Sequence, residues 1–121
     1  MGTLEKAVAS RMRIGHEDPA ALTLDERGMI CDCSKAAERL LCCLRSDLVW
    51  RHVSLLLPQF VEGVLMQDGQ LNPRISFLCH CGHLFQVQGP EGRAFSSELR
   101  LFELNNSGRR TVRLILCPVD L

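Results

Sequence analysis

The chain of 121 residues has no tyrosine, one tryptophan and five phenylalanines. So few aromatics leave the interior to aliphatic side chains and confine aromatic recognition to a handful of positions. A dominant charge is lacking too. Fourteen basic residues balance fourteen acidic ones, which removes the long-range field that draws a protein to nucleic acid or an anionic bilayer. Arg100, Arg109, Arg110 and Arg113 gather toward the C-terminus, but Glu98, Glu103 and Asp120 lie among them, as on a solvated strand face. No apolar run approaches the ~20 residues of a membrane span, and MGTLEKAVASRMRIG lacks the uninterrupted apolar centre of a signal peptide. The expectation is a soluble cytoplasmic chain with neither nucleic acid nor membrane as partner. A Gly-rich phosphate loop, a nucleophile elbow, a His-Glu-x-x-His helix and a carboxylate pair placed for acid–base work are all missing, so no catalysis is expected.

What the chain has in plenty is cysteine. Seven is an odd number, and an oxidising compartment would leave one thiol unpaired; reduced thiols in a cytoplasm suit the count better. Cys79-His80-Cys81-Gly82-His83 concentrates thiolate and imidazole donors of the kind zinc prefers. The Cys-x-x-Cys spacing of zinc knuckles is absent, so a second donor pair must come from elsewhere, and Cys31 and Cys33, alternate residues of a strand, are the candidates. Two other readings stay open beside this metal set. Small buried cysteines are packing residues, and a redox pair would need an exposed thiol of low pKa.

Leu4, Val8 and Met12 recur at helical spacing, which predicts a short amphipathic helix over about residues 3–14 that must lay its stripe on its own domain or on a second copy. Pro19 ends this region, so residues 1–19 are read as a cap helix and linker and 20–121 as the main domain. Ala21–Leu24 alternates into the turn Asp25-Glu26-Arg27-Gly28, Met29–Cys33 resumes as a strand, and Ser34 caps a helix over Lys35–Leu41. Ser46 is expected to cap a second helical turn through Val49. Val53–Pro58 is an apolar run stopped by proline, Asp68-Gly69 is a break, and Asn72-Pro73 opens a helix through about Leu78. Strands return at Leu84–Gln88, Phe95–Leu104 and Thr111–Val119, with turns at Gly89–Gly92 and Asn105–Gly108. These elements predict an α+β domain in which a five-stranded antiparallel sheet is covered on one face by short helices.

Read in order from Ala21 to the C-terminus, the segments LTLDERGMICDCSKAAERLL, LRSDLVWRHVSLLLP, GPEGRAFSSELRLFEL and GRRTVRLIL resemble the PAS domain family. The likeness rests on Asp25 and Gly28 at the first turn, Ser34 before Ala36 and Ala37, and Gly92, Phe95, Glu98 and Leu99 in the later hairpin. Two positions depart from the family's habit. Cys42-Cys43 stands where Gly-Tyr or Gly-Phe is common, and Trp50 stands where Gly is common; the bulkier residues are expected to fill space that other members leave for a ligand.

The resemblance implies a bacterial sensory and dimerisation module, a homodimer joined to a fused or separate output domain such as a kinase, a cyclic-dinucleotide enzyme or a transcription regulator. A small ligand, a cofactor or a redox event would alter how the terminal helix packs across the dimer. Neither flavin nor haem is expected. The Asn-Cys-Arg-Phe-Leu-Gln motif of the flavin-binding members is absent, and the position of the haem-ligating histidine falls near Gly63, leaving His80 and His83 only a different geometry. Trp50, Phe77 and Phe85 are candidates to line a small-ligand cavity, with His52 as polar anchor and Cys81 and Leu114 completing the wall. The competing readings make the aromatics core residues and the whole domain a ligand-free interaction scaffold, or make the thiols a metal or redox sensor.

Overall fold

In the computed structural model, residues 19–106 and 108–119 are described; the predicted helix carrying Leu4, Val8 and Met12 lies outside them. Strand β1 (Ala20–Leu24) turns into β2 (Ile30–Cys33), followed by α1 (Lys35–Leu41), α2 (Arg45–Leu48) and a 3-10 turn at Val53–Leu55. The two-residue strands β3 (Met66–Gln67) and β4 (Gln70–Leu71) precede α3 (Pro73–His80), and β5 (Phe85–Gln88), β6 (Ala94–Asn106) and β7 (Arg109–Pro118) close the chain. The main sheet has five antiparallel strands in the order β2-β1-β7-β6-β5.

Local chemistry accounts for most boundaries. The Ser34 hydroxyl accepts from the Ala37 amide at 3.2 Å, capping α1, and also accepts from the Ala21 amide at 3.0 Å while donating to the Pro19 carbonyl at 2.7 Å. One side chain thus starts the helix and ties it to the first strand. Asn72 accepts from the Arg74 amide at 3.0 Å, and Pro73, which has no N–H to lose, opens α3. At α2 the expected cap is corrected. The helix begins at Arg45, so Ser46 lies inside it, and the Asp47 carboxylate accepts from the Leu44 amide at 3.1 Å instead. Asp68 and Gly69 do more than break the chain: both hold positive φ, 54° and 75°, the backbone of a tight hairpin turn between β3 and β4.

Strand alternation decides which face is buried. Leu22 and Leu24 of β1 lie opposite Leu114 and Val112 of β7, and Leu99 of β6 opposite Leu116, all on the inner face. Ala37, Leu41, Leu48, Val53, Leu56, Leu57, Phe60 and Ile75 descend on them from the helices and loops, forming one hydrophobic core. The outer face carries Ala21, Thr23, Arg113 and Ile115 on β1 and β7, with Arg100, Phe102 and Leu104 on β6.

Candidate functional site

The space between sheet and helices, read from sequence as either a ligand cavity or a filled core, is occupied by side chains. Phe60, Leu41, Leu48, Leu56, Leu57, Leu65 and Leu114 are fully buried there. Phe60 and Phe85 pack with ring centroids 5.2 Å apart, and His83 meets the edge of Phe85 at 4.7 Å. Phe85 and Leu114 are therefore core residues. Trp50 and Phe77 are not interior at all, at 68% and 64% exposed, which corrects their assignment to a common wall. Cys81 is exposed at the end of α3.

The physical reason lies in the backbone. Cys42 and Trp50, the two residues standing where the family has glycine, hold φ of 57° and 69°. The left-handed conformation that glycine adopts without strain is retained at both positions, and both side chains face solvent. They do not fill the interior; the Cys42 thiol instead accepts from the Arg93 guanidinium at 3.3 Å.

His52 also departs from its expected role. Its Nδ1 accepts from the Ser54 amide at 3.1 Å, which leaves the proton on Nε2 to be donated to the Arg27 carbonyl at 3.1 Å. The imidazole is a clip between the 50–53 loop and the β1–β2 turn, and no ligand is needed to satisfy it.

The metal set does not converge. Cys33 packs on the core opposite Leu22 in the edge strand β2. Cys79 and Cys81 sit at the far end of α3, which packs against β6, and β2 and β6 are three strand spacings apart in the sheet, roughly 14 Å. A bulge pairs Thr23 with Asp32 but Leu24 with Ile30, so Cys31 falls out of the alternation and shares no face with Cys33. Among the described residues no three His, Cys, Asp or Glu side chains gather at metal-binding range. Burial pushes the Cys43 and Cys79 thiols up to about 11 and raises Cys31 and Cys33 as well. Those four are protonated at neutral pH, the opposite of an activated redox thiol.

A cleft of about 360 Å³ lies between α3 and β6, where Ser76, Cys79 and His80 stand beside the Glu98–Phe102 stretch of the strand. Ser76, Cys79 and His80 fall on one helix face by their i, i+3, i+4 spacing. It offers a hydroxyl, a neutral thiol and an imidazole on the helix wall, beside Leu99 and Leu101 of the inner sheet face. That is equipment for holding a small polar molecule by hydrogen bonds. Sequence reading singled out Cys79 and His80 but neither Ser76 nor the strand they lie beside, because no local pattern states which strand a helix will lie beside.

No protein-family model and no curated protein matches the sequence. The architecture does match solved structures. A PAS domain from a two-component sensor histidine kinase superposes with a TM-score of 0.65 at 17% identity, covering 96% of this chain and 97% of that one. The PAS domain of an HTR-like protein from Haloarcula marismortui gives 0.64 at 17%, covering 94% and 99%. The PAS domain of nitrogen regulation protein NR(II) from Vibrio parahaemolyticus gives 0.58 at 16%, covering 98% and 100%. The chain has the PAS fold.

Proposed function

We propose that the chain is a non-catalytic sensory and dimerisation module of a bacterial signal-transduction protein, acting in the cytoplasm and passing a change of packing to an output domain. The observation that carries this reading is the PAS sheet with its described helices on one face only. The other face bears Phe102 and Leu104, 48% and 44% exposed, beside Ile115 and the buried Ala21. An apolar stripe on an otherwise polar strand face is the feature a second copy or a coupled helix would cover. The signal would be a small polar ligand in the α3–β6 cleft.

Sedimentation velocity over a broad micromolar range tests the dimer. Concentration-dependent association that is lost in Phe102→Asp and in Leu4→Asp/Val8→Asp, with unchanged far-ultraviolet dichroism, is the expected result. A monomer at every concentration would remove dimerisation from the reading.

One observation favours a second reading, a ligand-free interaction scaffold: the interior is filled by hydrophobic side chains. An absorption spectrum before and after dithionite separates the two in part, since a band that responds to reduction requires a bound chromophore and excludes the scaffold.

A further inference from the structure

The β1–β2 turn, the 50–53 loop and the β6–β7 hairpin enclose a recess of about 320 Å³. Trp50 forms one wall, and Arg27, Arg109 and Arg110 stand around it. Three features make this recess more than a surface irregularity.

First, Trp50 is held there against its own preference. A left-handed backbone is unfavourable for any non-glycine residue, and a bulky one rarely adopts it. Trp50 does so at φ 69° while remaining 68% exposed, so little burial of the ring offsets the strain.

Second, the ring is mounted on a fixed support. The Trp50 amide donates to the Ile30 carbonyl at 2.7 Å, Ile30 returns a bond to the Arg51 carbonyl at 2.8 Å, and Val53 donates to Gly28 at 2.9 Å. The loop is thus fastened at the entry to β2 through the antiparallel bridge of Met29 with His52.

Third, the recess is net positive, because Arg27, Arg109 and Arg110 outnumber Asp25 and Glu26, which line it too. Asp25 spends its Oδ1 on the Arg27 and Met29 amides at 2.8 and 2.9 Å. Glu26, at the rim of the recess, has its Oε2 3.4 Å from where a Cβ on Gly69 would stand. Among the described residues the ion pair is Arg45 with Asp32, elsewhere on the surface. Among the described residues, Arg27, Arg109 and Arg110 make no direct ion pair with either Asp25 or Glu26.

From these features we infer that Trp50, Arg109 and Arg110, with Arg27 beside them, form a surface site for a planar aromatic anion. The ligand's ring would stack on the indole and its negative group would take the guanidinium donors. The site lies outside the core and is independent of the α3–β6 cleft. Its ligand class is a flat ring bearing a carboxylate or a phosphate. Strain at Trp50 is then the local cost of presenting an aromatic face to solvent.

The test uses a property of the chain itself. Trp50 is the single tryptophan and there is no tyrosine, so the intrinsic emission of the whole chain reports on this recess alone. Titration with adenosine 5′-monophosphate and with benzoate represents the two sources, and whichever binds identifies the anionic group. Inorganic phosphate and acetate lack the ring, and adenosine lacks the charge. Saturable, salt-sensitive quenching by at least one aromatic anion is expected, at least about tenfold tighter than for its ring-free or charge-free control. Arg109→Gln and Arg110→Gln should each weaken it about tenfold without shifting the melting temperature. By calorimetry Trp50→Phe should retain binding within a few-fold, whereas Trp50→Gly should lose it in a chain that is still folded. Absence of saturable quenching by either aromatic anion at millimolar concentration would overturn the proposal. So would equal binding of the ring-free anions, or indifference to both arginine substitutions.

Discussion

A Cβ placed on Gly28 would lie 3.0 Å from Nε2 of His52, and Gly28 holds a φ of +88°. The ring cannot step aside freely, because that same Nε2 donates to the Arg27 carbonyl while Nδ1 accepts from Ser54. Gly28→Ala therefore combines left-handed strain with a displaced imidazole. A loss of roughly 2 kcal/mol in urea unfolding is expected. A loss under ~0.5 kcal/mol, the range of an ordinary surface change, would mean that the His52 clip carries little.

Trp50→Gly should act in the opposite direction. Glycine relieves the left-handed strain, and the greater freedom it gives the unfolded chain takes back part of the gain. A net stabilisation of ~0.5–1 kcal/mol is expected from the same unfolding experiment. Destabilisation would show that the exposed indole makes packing contacts worth more than its strain.

Leu114 and Phe77 were grouped by sequence, and their substitutions should separate them. Leu114 is fully buried in the middle of β7, so Leu114→Ala leaves a cavity and should cost about 2–5 kcal/mol. Phe77 stands in solvent on α3, and Phe77→Ala should fall within about 0.5 kcal/mol of wild type. Equal losses would require Phe77 to be covered in solution by something that the described residues do not supply.

The thiols make a prediction about pH. Burial holds Cys43 and Cys79 protonated up to about 11, against an ordinary value of 9.0. In the unfolded chain both lose their protons near the lower value, so between the two the native state binds more protons than the unfolded one, and stability falls as pH rises. The contribution is complete below pH 9 and is lost as pH passes 11. The urea midpoint of wild type should fall more steeply through that window than that of Cys43→Ala/Cys79→Ala; parallel slopes would sink the prediction. In alkylation near neutral pH the exposed Cys42 and Cys81 should be modified before these two.

The parts of the fold that were legible in sequence are those in which a few neighbouring residues settle the outcome. Ser34 before Lys35-Ala36-Ala37 reads as a cap because its hydroxyl has an amide to meet three residues on, and it does so. Asn72-Pro73 reads as a helix start for the same kind of reason. The β3–β4 hairpin was missed because strands of two residues carry no period, although Asp68-Gly69 pointed at the turn. Trp50 was noticed through glycine's absence, yet its direction was misread. A positive φ can be kept by a large residue when the loop is clamped on both sides, and that clamp comes from Ile30 and Gly28, twenty residues or more away in sequence.

Composition and periodicity by themselves determined that this chain forms one α+β domain with an antiparallel sheet, because alternation and capping act over short distances and alternation can bury only one face. They also determined that its fluorescence belongs to one residue. Tertiary structure decided the rest. Stacking β2 and β6 three strands apart separated the cysteines that looked like ligands. Packing hydrophobic side chains into the interior decided for a filled core over a ligand cavity. Bringing the β6–β7 hairpin to the first turn placed two arginines beside Trp50. Each of these results depends on which distant elements share a boundary, and pairing across the sheet, not local sequence, sets that.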